Sequence, residues 1–176
     1  KKYGIKPIIG CEIYVAPGKM TDKVVNKDDK NYHLVLLAAN NEGYRNLIKI
    51  VSQAHIDGFY YKPRADKELL QKNNQGLIAL SACLAGEIQE YLLQDNYPSA
   101  KKAVFDYLEI FGKDNFFLEI QDHGLNDQRI VNNGLRRLHK DTNIPLVATN
   151  DVHYVQKEDA FIQDVLLCIQ TGKTLA

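Results

Sequence analysis

The 176-residue sequence has no excess of charge of either sign, with 22 Lys and Arg against 22 Asp and Glu. No overall field therefore draws nucleic acid, a membrane or an acidic substrate to it, and any such contact has to come from a local patch. Cysteine is scarce: Cys11, Cys83 and Cys168 lie far apart, without a CxxC pair. That argues against a disulfide framework and a zinc knuckle, and fits a reducing cytoplasm. No apolar run approaches the roughly 20 residues needed to cross a bilayer. The opening KKYGIKP also lacks the apolar core of a secretory signal. Internal repeats and low-complexity tracts are missing, and no strand is followed by a glycine-rich phosphate fingerprint, so a dinucleotide fold or P-loop has no support. The expectation is a soluble, cytoplasmic chain of one domain's size, able to bury a core without disulfides.

What is present is an alternation of strands and helices. Lys1 to Gly4 reads as the last turn of a helix with its glycine stop. The β-branched stretch PIIGCEIYV predicts one strand, or two short ones bent at Gly10. Residues 17–31 are polar and aperiodic, as in an exposed loop. Residues 33–38, HLVLLA, suit a strand buried on both faces. Tyr44, Leu47, Ile48, Val51 and Ala54 then recur at helical spacing behind a cap at Asn40 or Asn41. GFYYKPRADKELL predicts a loop entering a short helix capped by Asp66, with Pro63 ruling out a central strand.

Further strands are expected over 77–81, 116–120 and 145–149, and helices over 86–94, 127–139 and 158–169. Another helix opens at Pro98 and carries Ala100, Val104, Tyr107 and Phe111 on one face, while the 127–139 helix carries Ile130, Val131, Leu135 and Leu138. Such alternation is the pattern of parallel βα units, which close into a barrel or stay an open doubly wound sheet. Without a phosphate fingerprint, the barrel is the better expectation.

The sharpest chemical signal is Thr149-Asn150-Asp151-Val152-His153-Tyr154. It leaves the carboxyl end of a strand, where α/β barrels place their sites, and in extended backbone Asp151 and His153 point the same way and could grip one metal. Taken alone, the pair is more simply read as a cap and an ordinary half-buried histidine. Cys83 lies at a second such exit, where a helix dipole favours its thiolate, although a lone cysteine is more often core filler. Glu12 interrupts the apolar run Ile8, Ile9, Ile13 and Val15, which is costly unless it is paired or coordinating, or unless it faces solvent on an edge strand. His33 begins the next strand. Because no helix links the two, antiparallel pairing is expected, which would bring His33 to the same rim. The mixed oxygen, nitrogen and sulfur set of Glu12, His33, Cys83, Asp151 and His153 suits zinc best, with manganese or iron where carboxylates and histidines dominate.

The segments GIKPIIGCEIYVAP, YHLVLLAANNEGYRNL, GFYYKPRADKELL, GLIALSACLAGEI, NFFLEIQDHG, PLVATNDVHY and DVLLCIQTGKTL resemble, in order and spacing, the PHP (polymerase and histidinol phosphatase) domain of bacterial DNA polymerase III alpha subunits. The resemblance implies a distorted, TIM-like β/α barrel with a metal cluster at its rim, and its ligand pattern falls on Glu12, His33, Cys83, Asp151 and His153. It also implies a His-x-His pair, an aspartate and a further histidine before residue 1, and polymerase carboxylates beyond residue 176. The chain is thus expected to be a single partial PHP domain over residues 1–176, lacking the first strands, with weak or partial metal occupancy and no stable small-molecule cofactor. The implied partners are DNA and other replicase subunits, and the implied chemistry is a metal-dependent phosphoesterase or 3′-to-5′ proofreading exonuclease.

Other readings stay open. The domain could serve as a structural or interaction module of the polymerase, as in family members that have lost ligands. Cys83 with His33 or His153 could form a thiol hydrolase, if sulfur and imidazole lie within hydrogen-bond reach. Tyr60, Tyr61, Lys62 and Arg64 combine aromatic and cationic groups in one loop, suited to stacking on bases and pairing with phosphates, or simply to an exposed turn. His123 in Gln121-Asp122-His123-Gly124 reads as local turn chemistry.

Overall fold

The computed structural model describes residues 2–23 and 30–175. Strand β1 (Gly10–Val15) turns Ile13 and Val15 into the core and Glu12 and Tyr14 to the opposite face, the period-two alternation of a half-buried strand. Ile8 and Ile9, expected within this strand, are exposed and precede it. Only the Ile9 carbonyl continues the ladder, accepting from the Ala38 amide at 2.8 Å. Strand β2 (Tyr32–Ala38) runs antiparallel to β1, and Leu34 and Leu36 join its buried face. Of the polar stretch 17–31, residues 24–29 lie outside the described residues.

Helix α1 (Asn41–Ile56) is capped by Asn40, whose side chain accepts from the Gly43 amide at 2.9 Å. Its buried side is Gly43, Asn46, Leu47, Ile50 and Ala54, whereas Tyr44 and Ile48 are exposed. Of the expected face, Leu47 and Ala54 are buried and Val51 packs against the core, while Tyr44 and Ile48 give way to Gly43, Asn46 and Ile50. Gly43 packs directly on the backbone of Gly76, which draws that side of the helix inward.

Arg64–Ala65 forms a two-residue strand, β3, parallel to β1 at the sheet edge, where a loop was expected. Pro63 just before it is compatible with an edge strand, where a missing amide donor costs little. Asp66 then caps α2 (Lys67–Lys72) by accepting from the Leu69 amide at 2.8 Å.

The second half follows the expected alternation: β4 (Leu77–Leu80), α3 (Glu87–Leu93), α4 (Tyr97–Phe111), β5 (Phe116–Ile120), α5 (Asn126–Thr142), β6 (Leu146–Ala148), a 3-10 turn (Lys157–Asp159) and α6 (Ala160–Thr171). β4, β5 and β6 are parallel, as βα units require. Within α5 the buried apolar residues are Val131, Leu135 and Leu138, while Ile130, expected beside them, is exposed.

The strand order is β3-β1-β2-β4-β5-β6, an open mixed sheet consistent with part of a TIM-like barrel and not closed. Because β2 is antiparallel to both β1 and β4, it alone runs against the other strands. The amino end of β2 therefore shares one rim with the carboxyl ends of β1, β4, β5 and β6. Ile13, Val15, Leu34 and Leu36 join Leu47, Ile50, Leu70, Leu77, Val104, Tyr107, Phe116 and Leu135 in one hydrophobic cluster. Among the described residues no helix is long and apolar enough to cross a membrane.

A Cβ at Gly43 would stand 1.8 Å from the Gly76 carbonyl oxygen. Helix propensity favours Ala over Gly by about 1 kcal/mol, but overpacking against backbone costs about 1–3 kcal/mol or more. Gly43→Ala is therefore expected to destabilise the chain in urea unfolding. A more stable variant would contradict this packing.

Candidate metal centre

The β1–β2 register pairs Tyr14 with His33 and Glu12 with Val35, so Glu12 is the diagonal neighbour of His33 on the same face. Its Oε1 lies 2.8 Å from His33 Nδ1. On the other side, β2 pairs Val35 with Leu80, which sets His33 at the carboxyl end of β4. The loop leaving β4 is fastened there: the His33 amide donates to the Ala85 carbonyl at 2.9 Å, and His33 forms a parallel bridge with Gly86. This docking carries Cys83 Sγ to 3.4 Å from the same His33 Nδ1.

Oxygen, nitrogen and sulfur thus converge on one point. The ligating atoms of Glu12, His33 and Cys83 all lie within 4.8 Å of one another, and among the described residues they are the one group of three or more such side chains to do so. Two supports come from outside the group. The Tyr14 ring packs edge-on against His33 with centroids 5.0 Å apart, and Lys62 Nζ sits 5.5 Å from the Tyr14 centroid.

Electrostatics follow from this placement. The His33 imidazole is pushed up to about 10 by its hydrogen bonds to Cys83 and Glu12, which outweigh partial burial. The Glu12 carboxyl is held below the usual range, chiefly by its hydrogen bond to His33. One proton on Nδ1 therefore occupies the place where a cation would be shared by three donors. The same geometry argues against a thiol hydrolase built on Cys83 and His33. Such a relay needs the thiol on one ring nitrogen and the orienting carboxylate on the other, whereas here both meet Nδ1.

Asp151 and His153 stand outside the group of three, on the exposed loop after β6. His153 Nδ1 bonds the Asp151 carbonyl at 2.7 Å, and Asp151 has a left-handed backbone with φ of 46°. Both line an open groove of about 490 Å³ together with His123, Asn150, Tyr154 and Leu167. His153 is still near enough to help hold the Glu12 carboxyl low. His123 is more than a turn residue: its Nε2 bonds the Asn150 carbonyl at 2.8 Å, and its Nδ1 is 2.8 Å from Gln128 Nε2, tying the β5 exit to the loop that carries Asp151.

The loop expected to meet nucleic acid divides in two. Tyr61 is exposed with φ of 59°, Tyr60 packs edge-on against it, and Lys62 is exposed. Arg64 does not belong with them. It is 1% exposed, with Nε donating to the Gly58 carbonyl at 3.1 Å and one guanidinium nitrogen donating to the carbonyls of Met20 and Asp22, each at 2.9 Å. Its charge fastens loops to the sheet edge and does not face solvent.

The burial of the Glu119 carboxylate was not anticipated. Glu119 on β5 is 5% exposed and accepts from the Ala82 amide at 2.9 Å and from Gln121 Nε2 at 3.2 Å. It also accepts from the Thr149 hydroxyl. The signal was present in FFLEI, an apolar strand broken by one acid, as Glu12 breaks the first strand.

The sequence profile of the PHP domain matches residues 1–123. The chain is 50% identical over 171 residues to the DNA polymerase III subunit alpha of Treponema pallidum, an overlap of 97% of this chain and 15% of that protein. It is 47% identical over 176 residues to the protein of that name from Borreliella burgdorferi, covering 98% of this chain and 15% of the relative. For the one from Thermus aquaticus the identity is 48% over 174 residues, covering 98% and 14%. The chain therefore spans about one seventh of the length of these relatives.

Because the folded-state affinity of His33 for its proton is raised above the ordinary 6.5, the stabilisation it gives is full below that pH and is lost as pH rises through about 10. In the metal-free chain, NMR titration of the His33 ring should show imidazolium persisting through neutral pH. A midpoint near the ordinary histidine value would contradict the three-way contact.

Proposed function

Because the chain belongs to the PHP domain family, we propose that residues 1–176 are a single partial PHP domain of a bacterial DNA polymerase III alpha subunit. Such a protein would act in the cytoplasm on DNA, together with other replicase subunits. Similarity running over nearly the whole chain to relatives of that name supports this assignment. The domain's own activity is proposed to be metal-dependent phosphoester hydrolysis, in the form of a 3′-to-5′ exonuclease. The observation that carries it is the convergence of Glu12, His33 and Cys83 on one point.

The donor set fits a divalent cation. Carboxylate oxygen, imidazole nitrogen and thiol sulfur within a few ångströms are the ligand types zinc accepts, and zinc is the metal we assign, with manganese or iron as alternatives where the carboxylates and histidines dominate. Asp151 and His153 are proposed as further ligands from the neighbouring loop. Three donors at one point bind a cation less tightly than a full set, so partial occupancy is expected of the chain by itself. When bound, such an ion supplies hydroxide from water and polarises a phosphoryl oxygen.

The side chains have their own tasks. Glu12 and His33 must release the proton they share before they can hold a cation, so affinity should rise with pH. Lys62, beside Tyr14 and hence near the cluster, places positive charge where a phosphate would approach. Exposed Tyr61, backed by Tyr60, offers a ring on which a terminal base could stack.

In the full-length protein that carries this chain, Asp151→Asn and Glu12→Gln should each lower 3′-to-5′ exonuclease activity on single-stranded DNA by at least about tenfold. The polymerase rate should stay unchanged. Nuclease activity equal to wild type in both variants would remove the hydrolytic reading and leave the domain as a structural scaffold.

A further inference from the structure

Two loops present Cys83 and the pair Asp151 and His153, and each contains a residue in the left-handed backbone region. Ala82, with φ of 65°, directly precedes Cys83, and Asp151, with φ of 46°, is itself in the second loop. Residues with a Cβ hold such conformations only where the surroundings fix them. For Ala82 the surroundings are buried side chains on both sides of its peptide groups. Its amide donates to Glu119 Oε2 at 2.9 Å, and its carbonyl accepts from Gln89 Nε2 at 3.0 Å. Gln89 Nε2 also donates to Ser81 Oγ at 2.8 Å, and that same oxygen accepts from the Glu119 amide at 2.8 Å. Glu119, Ser81 and Gln89 are all nine-tenths or more buried.

The second oxygen of Glu119 reaches the other loop. Oε1 accepts from the Thr149 hydroxyl and from Gln121 Nε2, and Thr149 stands two residues before Asp151. The Thr149 amide is fixed in turn by the Ile120 carbonyl at 3.1 Å. A single carboxylate thus spans the exits of β4 and β6, with one oxygen on the turn that aims Cys83 and the other on the strand end that leads to Asp151 and His153. Three hydrogen bonds from neutral donors hold it there. A carboxylate is suited to this because each oxygen can accept more than one bond in fixed directions, which an apolar residue in the same strand could not do.

We propose that Glu119 is a positioning residue of the metal centre: it locks the Ala82–Cys83 turn and the Thr149 strand end in the geometry that presents their ligands to one cation. This rests on the metal-centre reading above. Glu119 touches neither the cation nor a substrate, and it acts through the Ala82 amide and the Thr149 hydroxyl.

The test uses the chain with Glu119→Ala, Glu119→Gln and Thr149→Val, reading two quantities that a general loss of stability would not move selectively. One is hydrogen exchange of the Ala82 amide without metal. The other is titration with cobalt(II) as probe, followed by the sulfur-to-cobalt charge-transfer band, which Cys83→Ala assigns. Glu119→Ala should lower Ala82 protection and weaken cobalt binding by about tenfold or more, the range seen when groups behind a metal ligand are removed. Glu119→Gln, which keeps an acceptor for the Ala82 amide, should stay within about threefold of wild type on both. Thr149→Val removes a single bond and should weaken cobalt by about threefold while Ala82 stays protected. Wild-type protection and affinity in Glu119→Ala would overturn the proposal, as would equal losses in the Ala and Gln variants. Should Glu119→Ala not fold, full cobalt affinity in Thr149→Val would overturn it instead. A wild-type chain that takes up no cobalt would overturn the metal-centre reading, while amide exchange still decides whether Glu119 fixes the Cys83 turn.

Discussion

The fold brings a carboxylate and a thiol to one ring nitrogen. Glu12 Oε1 and Cys83 Sγ both address His33 Nδ1, at 2.8 and 3.4 Å. A proton there can be shared by an imidazole, a carboxylate and a thiol, and so can a small cation. The arrangement depends on β2 running against its neighbours, because that reversal is what places the start of one strand between the body of β1 and the exit of β4. Were β2 parallel, His33 would lie at the opposite rim and the site would have no centre.

Around this point the molecule divides its labour by burial. Apolar residues on one side of the sheet, from Val15 through Leu36 to Phe116, form the cluster that fixes strand spacing. On the other side, the polar groups near the rim are tied into pairs and networks: His123 to Asn150, Gln89 to Ser81, and Glu119 to two loops. Buried polar groups in such networks are costly if any member is lost, and that is what lets short exits such as 81–86 and 149–151 keep strained backbone in place. Arg64 does the same at the far edge, spending its charge on the carbonyls of Gly58, Met20 and Asp22.

Much of this was legible from residue order. The strands over 33–38, 77–81 and 116–120 announce themselves as short apolar runs, and the antiparallel β1–β2 pair follows from the missing helix between them. The clustering of Glu12, His33 and Cys83 was likewise in reach, from strand ends and exits. Other features were not. A two-residue strand such as β3 has no period to detect, and Pro63 ruled out only a central strand, consistent with the edge position β3 takes. The face of α1 was partly misjudged because Gly43 and Asn46, rather than Tyr44 and Ile48, carry its contact side. Whether a loop arginine meets solvent or backbone is decided by distant carbonyls, so Arg64 could not be sorted from Lys62 by sequence. Glu119 could have been found, since the rule that flagged Glu12 applies to it equally.

The proposed centre is a cation held between a carboxylate, an imidazole and a thiolate supplied by this chain. X-ray absorption at the zinc edge of the zinc-loaded chain tests it most directly. One sulfur scatterer at about 2.3 Å is expected, with nitrogen and oxygen neighbours at about 2.0–2.1 Å, and the sulfur shell should disappear in Cys83→Ala. A spectrum of nitrogen and oxygen alone in the wild-type chain, or a sulfur shell unchanged by that substitution, would contradict it.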